Sequence, residues 1–134
     1  MEQLVRDAMV PDPLSLDAAA TAQEAGEALA RPEVRAVFVV EGGRLTGVVT
    51  RKTLVREVVA RGLDPKATPL GAIAEPPNAT VPSSTPLADA FAWVEEHDYE
   101  RVPVVEDGKL VGVLSRAVVQ RRLAEDESPV DAGV

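Results

Sequence analysis

Two short runs carry the residues best suited to chemistry. Thr50-Arg51-Lys52-Thr53 sets a hydroxyl, two cations and a second hydroxyl in consecutive positions, and Ser115-Arg116-Ala117-Val118 repeats the first hydroxyl and a cation. Each run ends an apolar segment and opens a helix-forming one, so Thr50 and Ser115 stand at helix N-cap positions. The free N–H groups and the positive dipole end at such a place favour a bound anion. An N-cap hydroxyl needs no ligand, however, and capping alone accounts for both residues. The cations say more. Arg51, Lys52 and Arg116 fall in first helical turns, where an exposed positive charge opposes the dipole at a cost of about 0.3–1 kcal/mol. A bound anion reverses that cost, and so does screening by nearby carboxylates or water.

Other chemistries find few residues. The chain has no cysteine and one histidine, His97, which excludes disulfides, thiolate metal sites, His-rich metal sites and a Ser-His-Asp set. Glu95 and Glu96 are adjacent and do not share a helix face. No Walker-type glycine loop or zinc motif is present. The expectation is a protein that is not an enzyme and holds no metal.

The elements that position the two runs are copies of one another. Arg101 to Val118 reads as an apolar strand, an Asp-Gly turn, a second apolar strand and a capped helix start. Ala36 to Thr53 repeats it at an offset of 65: Val37, Val39, Val40, Glu41, Gly43, Leu45, Gly47, Val48 and Arg51 match Val102, Val104, Val105, Glu106, Gly108, Leu110, Gly112, Val113 and Arg116. That period is too long for a solenoid and suits two copies of a βαββα unit. Each copy is too small to bury much core alone, so pairing is the expected source of stability.

In chain order the first copy reads as a lead-in helix over Leu4–Met9, a short strand over Leu14–Leu16, a helix over Ala18–Ala30 capped by Asp17, strands Val37–Val40 and Leu45–Val49, and a helix from Thr50 to about Arg61. The second reads as a short helix over Leu70–Ala74, a strand at Thr80–Val81, a helix over Pro86–His97, strands Val102–Val105 and Leu110–Leu114, and a helix over Arg116–Ala124. The expected division is a first domain over 1–63 with its lead-in helix, a second over 64–124, and an acidic, frayed tail over 125–134. Trp93 lies beside the Leu87, Ala90, Phe91 and Val94 stripe and reads either as a half-covered flank or as a subunit contact.

At 134 residues, 46% hydrophobic and 27% charged, the chain reads as globular and soluble. Net charge is −8, and four of the carboxylates responsible (Glu125, Asp126, Glu127 and Asp131) lie in the last eleven residues. An acidic chain disfavours nucleic acid as a partner. No apolar run approaches the roughly 20 residues of a membrane helix, and Met1 to Asp7 lacks the regions of a signal peptide. Cytoplasmic localisation and no membrane partner are the expectations.

The paired pattern resembles a tandem pair of CBS domains, the regulatory arrangement called a Bateman module. The resemblance rests on the strand with Pro103, the Glu-Gly-Gly and Glu-Asp-Gly turns at 41–43 and 106–108, and Gly-Val-Val-Thr at 47–50 with Gly-Val-Leu-Ser at 112–115. It implies an α/β (α+β) fold of two βαββα units packed through their sheets about a pseudo-two-fold axis, and further association into a homodimer. It also implies a regulatory module without catalysis that binds an adenosyl ligand (AMP, ADP, ATP or S-adenosylmethionine) in clefts between the units. No cofactor is required. With no other domain attached, a regulated protein partner is expected to act in trans.

The resemblance further implies site residues. In the first cleft these are Ser15, Leu16 and Val37 toward the adenine, Thr50 with Arg51 and Lys52 toward the phosphate, and Thr53. In the second they are Thr80, Val81, Val102 and Pro103, with Tyr99 and Arg101 at the mouth and Ser115, Arg116 and Val118 at the helix start. The strand residues among them are equally ordinary core. The family places an Asp three residues after the hydroxyl, where it holds the ribose diol; Thr53 and Val118 occupy that position here. Losing a charged acceptor for a diol costs about 1.5–3 kcal/mol, so the alternative reading is a ligand-free dimerisation or protein-interaction scaffold. By restoring the diol acceptor, Thr53→Asp is expected to strengthen AMP-type binding in the first cleft.

Overall fold

The computed structural model describes residues 2–127. Two hairpins form its framework: β3 (Val37–Glu41) with β4 (Arg44–Val49), and β6 (Arg101–Glu106) with β7 (Lys109–Ser115). Both turn through two consecutive residues of positive φ, Gly42 and Gly43 at 60° and 81°, and Asp107 and Gly108 at 52° and 82°. Such a turn matches the natural twist of the flanking strands, and Gly-Gly and Asp-Gly are the pairs that adopt it without strain. A short parallel strand joins each hairpin: β2 (Ser15–Asp17) pairs with β3, and β5 (Val81–Pro82) with β6.

The remaining elements are α1 (Val5–Ala8), β1 (Val10–Pro11), α2 (Ala22–Leu29), α3 (Arg51–Leu54), a 3₁₀ turn at Leu70–Ala72, α4 (Leu87–Glu96) and α5 (Arg116–Glu127). This mixed α/β content is the expected fold class. Of the acidic tail expected over 125–134, Glu125, Asp126 and Glu127 continue α5, and 128–134 lie outside the described residues.

Two boundaries differ from expectation for physical reasons. Asp17 does not cap α2. It stays in β2 and its Oδ1 accepts the Ala19 N–H at 2.8 Å, turning the chain. Thr21 is the cap: its Oγ1 accepts the Glu24 N–H at 3.2 Å while Glu24 Oε2 accepts the Thr21 N–H at 2.9 Å. This reciprocal box satisfies two donors that Asp17 could not reach together. The helix after Thr50 does not run on regularly to Arg61. Past Leu54 it widens into a π turn over Val55–Val59, closed by the Ala60 N–H on the Val55 carbonyl at 2.8 Å. Single π turns of this kind recur at functional sites.

The residues cluster into two compact units, one from 14–78 and 108–110, the other from the described residues of 1–13, 79–107 and 111–134. The lead-in segments are thus exchanged between the repeats. In the first unit the Leu70 and Gly71 N–H groups donate to the Ala20 and Ala18 carbonyls at 2.8 and 2.9 Å. In the second, Val5 and Arg6 donate to Thr85 and Ser83 at 2.9 and 3.0 Å, the same pattern shifted by the repeat. Burial follows the exchange. Leu70 and Ile73 pack with Ala22, Ala25, Leu29, Val37, Val39, Val49 and Val58. Val5 and Ala8 pack with Val81, Leu87, Ala90, Val94, Val102, Val104, Leu114 and Val119.

Candidate functional site

In the first unit the strand register gathers the expected residues. Ser15 lies opposite Phe38 and Leu16 opposite Val39, while Val37 lies opposite Val49, one residue before Thr50. Ser15 is exposed, Leu16 half-buried and Val37 buried. Thr50 is extended and caps α3. Its Oγ1 accepts the Thr53 N–H at 3.4 Å, and its own N–H donates to Thr53 Oγ1 at 3.0 Å. The two hydroxyls lie 3.1 Å apart. Thr53 is 1% exposed, and its hydroxyl reaches Glu75 Oε1 at 3.3 Å. Position 53 therefore faces a carboxylate that comes from another part of the chain.

The two cations of this run differ. Arg51 is exposed, and one of its guanidinium nitrogens donates to the Arg31 carbonyl, just past the end of α2, at 2.9 Å. That contact holds the side chain beside the helix start. Lys52 is exposed.

The second unit builds the matching place from different groups. Ser115 ends β7 and Arg116 begins α5. The Arg116 guanidinium forks onto Asp98 Oδ1 and Glu100 Oε1, each at 3.0 Å, and its backbone N–H donates to the Glu100 carbonyl at 2.9 Å. The Asp98 hydrogen bond is the largest influence holding this guanidinium above its usual pKa; loss of hydration opposes it, and the charges of Glu100, Asp98 and Glu95 add to it. The charge opposing the α5 dipole is thus screened by carboxylates. Val118 is half-buried. Thr80 is exposed beside buried Val81, and Val102 and Pro103 are buried in β6, with exposed Arg101 at its start. Tyr99 stacks on His97 with ring centroids 5.4 Å apart and meets Trp93 edge-on at 5.3 Å. Trp93 packs against the core of this unit, as a half-covered flank does.

Two segments, 5–60 and 70–125, each match the CBS domain family model. The chain belongs to the CBS domain family. It is 33% identical over 82 residues to Hypoxic response protein 1 of Mycobacterium tuberculosis, a match spanning 61% of this chain and 57% of that relative. The structure of that protein with two coordinated zinc ions aligns with a TM-score of 0.75 at 26% identity, covering 90% of this chain and 98% of the other. The structure of CBSX2 of Arabidopsis thaliana in complex with AMP aligns with a TM-score of 0.73 at 27% identity, covering 92% and 98%. CBS-pair proteins are generally regulatory rather than catalytic and often dimerise. Among the described residues of this CBS pair, no cluster of three His, Cys, Asp or Glu could hold a metal, and no helix is long and apolar enough to cross a membrane.

Within the CBS pair, sequence reasoning missed Glu75. Its signal was the repeat itself. Glu75 precedes Pro76 as Val10 precedes Pro11, and Val48 and Val113 are likewise equivalent. The structure uses both relations: Glu75 pairs with Val48, and Val10 with Val113.

Proposed function

We propose that this CBS pair is a regulatory module that binds an adenosyl ligand of the AMP, ADP, ATP or S-adenosylmethionine type at its first repeat and modulates a protein partner in trans. The observation that carries the reading is the convergence of Leu16, Val37, Thr50 and Thr53 in one unit, with two basic side chains at the same helix start. The strand residues offer an apolar and backbone surface for a purine. Arg51 and Lys52 offer charge to a phosphate. The AMP complex of CBSX2 supports the ligand class. The second-repeat residues make a weaker site, because Arg116 is already paired with two carboxylates and Val118 offers no acceptor.

A thermal-shift series with AMP, ADP, ATP and S-adenosylmethionine tests this. A ligand at a hundred times its dissociation constant adds about 2.7 kcal/mol to the folded state, which raises the midpoint by roughly 5–15 °C in a domain of this size. A shift that shrinks in Arg51→Ala supports the reading, and no shift with any of the four overturns it.

A second reading has its own observation. Val55 and Val59 on the π turn are 58% and 72% exposed, and Leu63 is 37% exposed. Val59 and Leu63 line a groove of about 540 Å³ between α2 and this segment, together with Ala22, Gly26, Leu54 and Val58 among others. An apolar surface of this kind favours a homodimer contact. A monomeric mass by light scattering at high concentration would remove that assignment.

A further inference from the structure

Glu75 is held in place more firmly than an exposed carboxylate needs to be for stability. Its backbone is clamped on β4, with the Val48 N–H on the Glu75 carbonyl at 2.8 Å and the Glu75 N–H on the Val48 carbonyl at 3.0 Å. The crossing is close enough to require glycine beneath it: a methyl at Gly47 would lie 2.7 Å from Ala74 Cβ and 3.1 Å from the Glu75 carbonyl oxygen. Glu75 Oε1 accepts the hydroxyl of Thr53, and that hydroxyl is in turn engaged by the N–H and hydroxyl of Thr50. One carboxylate oxygen is therefore fixed by a buried group. Glu75 as a residue is exposed, and its other oxygen has no hydrogen-bond partner among the described residues.

An exposed carboxylate whose single bond to Thr53 is 3.3 Å long adds little to folding. As an acceptor it is preorganised. An ionised carboxylate has several lone-pair sites and can take two hydroxyl donors side by side. The second unit has Val10 at the position of Glu75 and Val118 at that of Thr53, and neither side chain can accept a hydrogen bond.

We propose that Glu75, supplied by the exchanged lead-in, accepts the vicinal hydroxyls of a ribose-bearing ligand at the first repeat, and that the chain binds one such ligand. The inference deepens the adenosyl reading and rests on it. It assigns ribose recognition to a residue of the segment between the repeats, so ligand occupancy fastens that segment onto the first unit.

Calorimetric titration of the full chain with AMP and with 2′,3′-dideoxy-AMP tests it. Wild type should bind AMP at one site per chain and the dideoxy analogue about tenfold more weakly, as loss of a charge-assisted pair implies. Glu75→Gln keeps an acceptor for Thr53 and should melt as wild type does. It should bind AMP about tenfold more weakly without weakening the dideoxy analogue. Removing a negative charge near a phosphate should on its own tighten AMP binding, so a loss isolates the hydroxyl contact. AMP binding that is equal in wild type and Glu75→Gln, or that shows two equivalent sites, overturns the assignment of Glu75 and leaves the adenosyl reading standing. No AMP binding by wild type overturns both.

Discussion

The two units of this CBS pair share a backbone plan and differ at the place where chemistry is expected. In the first, Thr50, Thr53 and Glu75 form a connected polar set beside Arg51 and Lys52. In the second, the equivalents are Ser115, Val118 and Val10, and Arg116, at the position of Arg51, is held by Asp98 and Glu100. Helix geometry also diverges, since the first unit widens into a π turn after α3 while α5 is an α-helix from Arg116 to Glu127. The difference teaches that a duplicated unit can keep its turns and core while its functional place is rewritten at three or four positions. Those positions are polar in one copy and apolar or internally neutralised in the other.

The largest expected effect tests the exchange itself. Leu70 belongs by chain order to the second repeat but is fully buried in the first unit. Leu70→Ala should cost about 2–5 kcal/mol. Hydrogen exchange should accelerate over 14–78 more than over 79–127. Leu87→Ala should reverse that pattern, with Trp93 fluorescence reporting the loss. Equal acceleration of both regions by both variants would show that the units open as one.

Next come the groups around Glu75. Gly47→Ala forces a methyl against Ala74 and should cost about 1–3 kcal/mol in denaturant unfolding. Thr53→Asp, which the family pattern marks as a repair, should instead cost about 1–3 kcal/mol, because it buries a carboxylate against the one already there. Adding Glu75→Gln should recover most of that loss. No recovery would mean that the two side chains are not coupled.

A smaller effect is expected at the α2 cap, where Thr21→Ala should cost about 1 kcal/mol. Asp17→Ala should cost less, and the reverse order would restore Asp17 as the cap. The smallest effect concerns Arg116. A cation whose proton affinity is raised on folding stabilises below its unfolded pKa and loses that contribution only as pH rises through the folded value. For a guanidinium both values lie above the neutral range. Comparing wild type with Arg116→Ala should therefore give a difference that stays level across neutral pH and shrinks with added salt.

Most of the fold was legible because its signals are local. The Gly-Gly and Asp-Gly turns set the hairpins, and their 65-residue spacing set the duplication. The α2 start was misplaced because two capping residues compete within five positions, and only the Thr21–Glu24 reciprocity decides between them. The π turn was not legible, since Val55 to Val59 reads as ordinary helix. The exchange of lead-ins was hidden for a different reason: chain order says nothing about which copy a tethered segment joins. That same gap concealed Glu75. Its carboxylate meets Thr53 across 22 positions, where an isolated bridge to Val48 carries the segment over β4 in a way that local pattern does not reveal.

The exchanged lead-ins also impose an order on synthesis. The first unit draws almost all its residues from 14–78, so its core can close soon after the chain passes that point. Val5 and Ala8 have no core to join until α4, β6 and β7 exist. At about 5–20 residues per second, that interval is on the order of ten seconds. Through it, the Val5–Ala8 segment waits for its place, and its short apolar face stays open to chaperones.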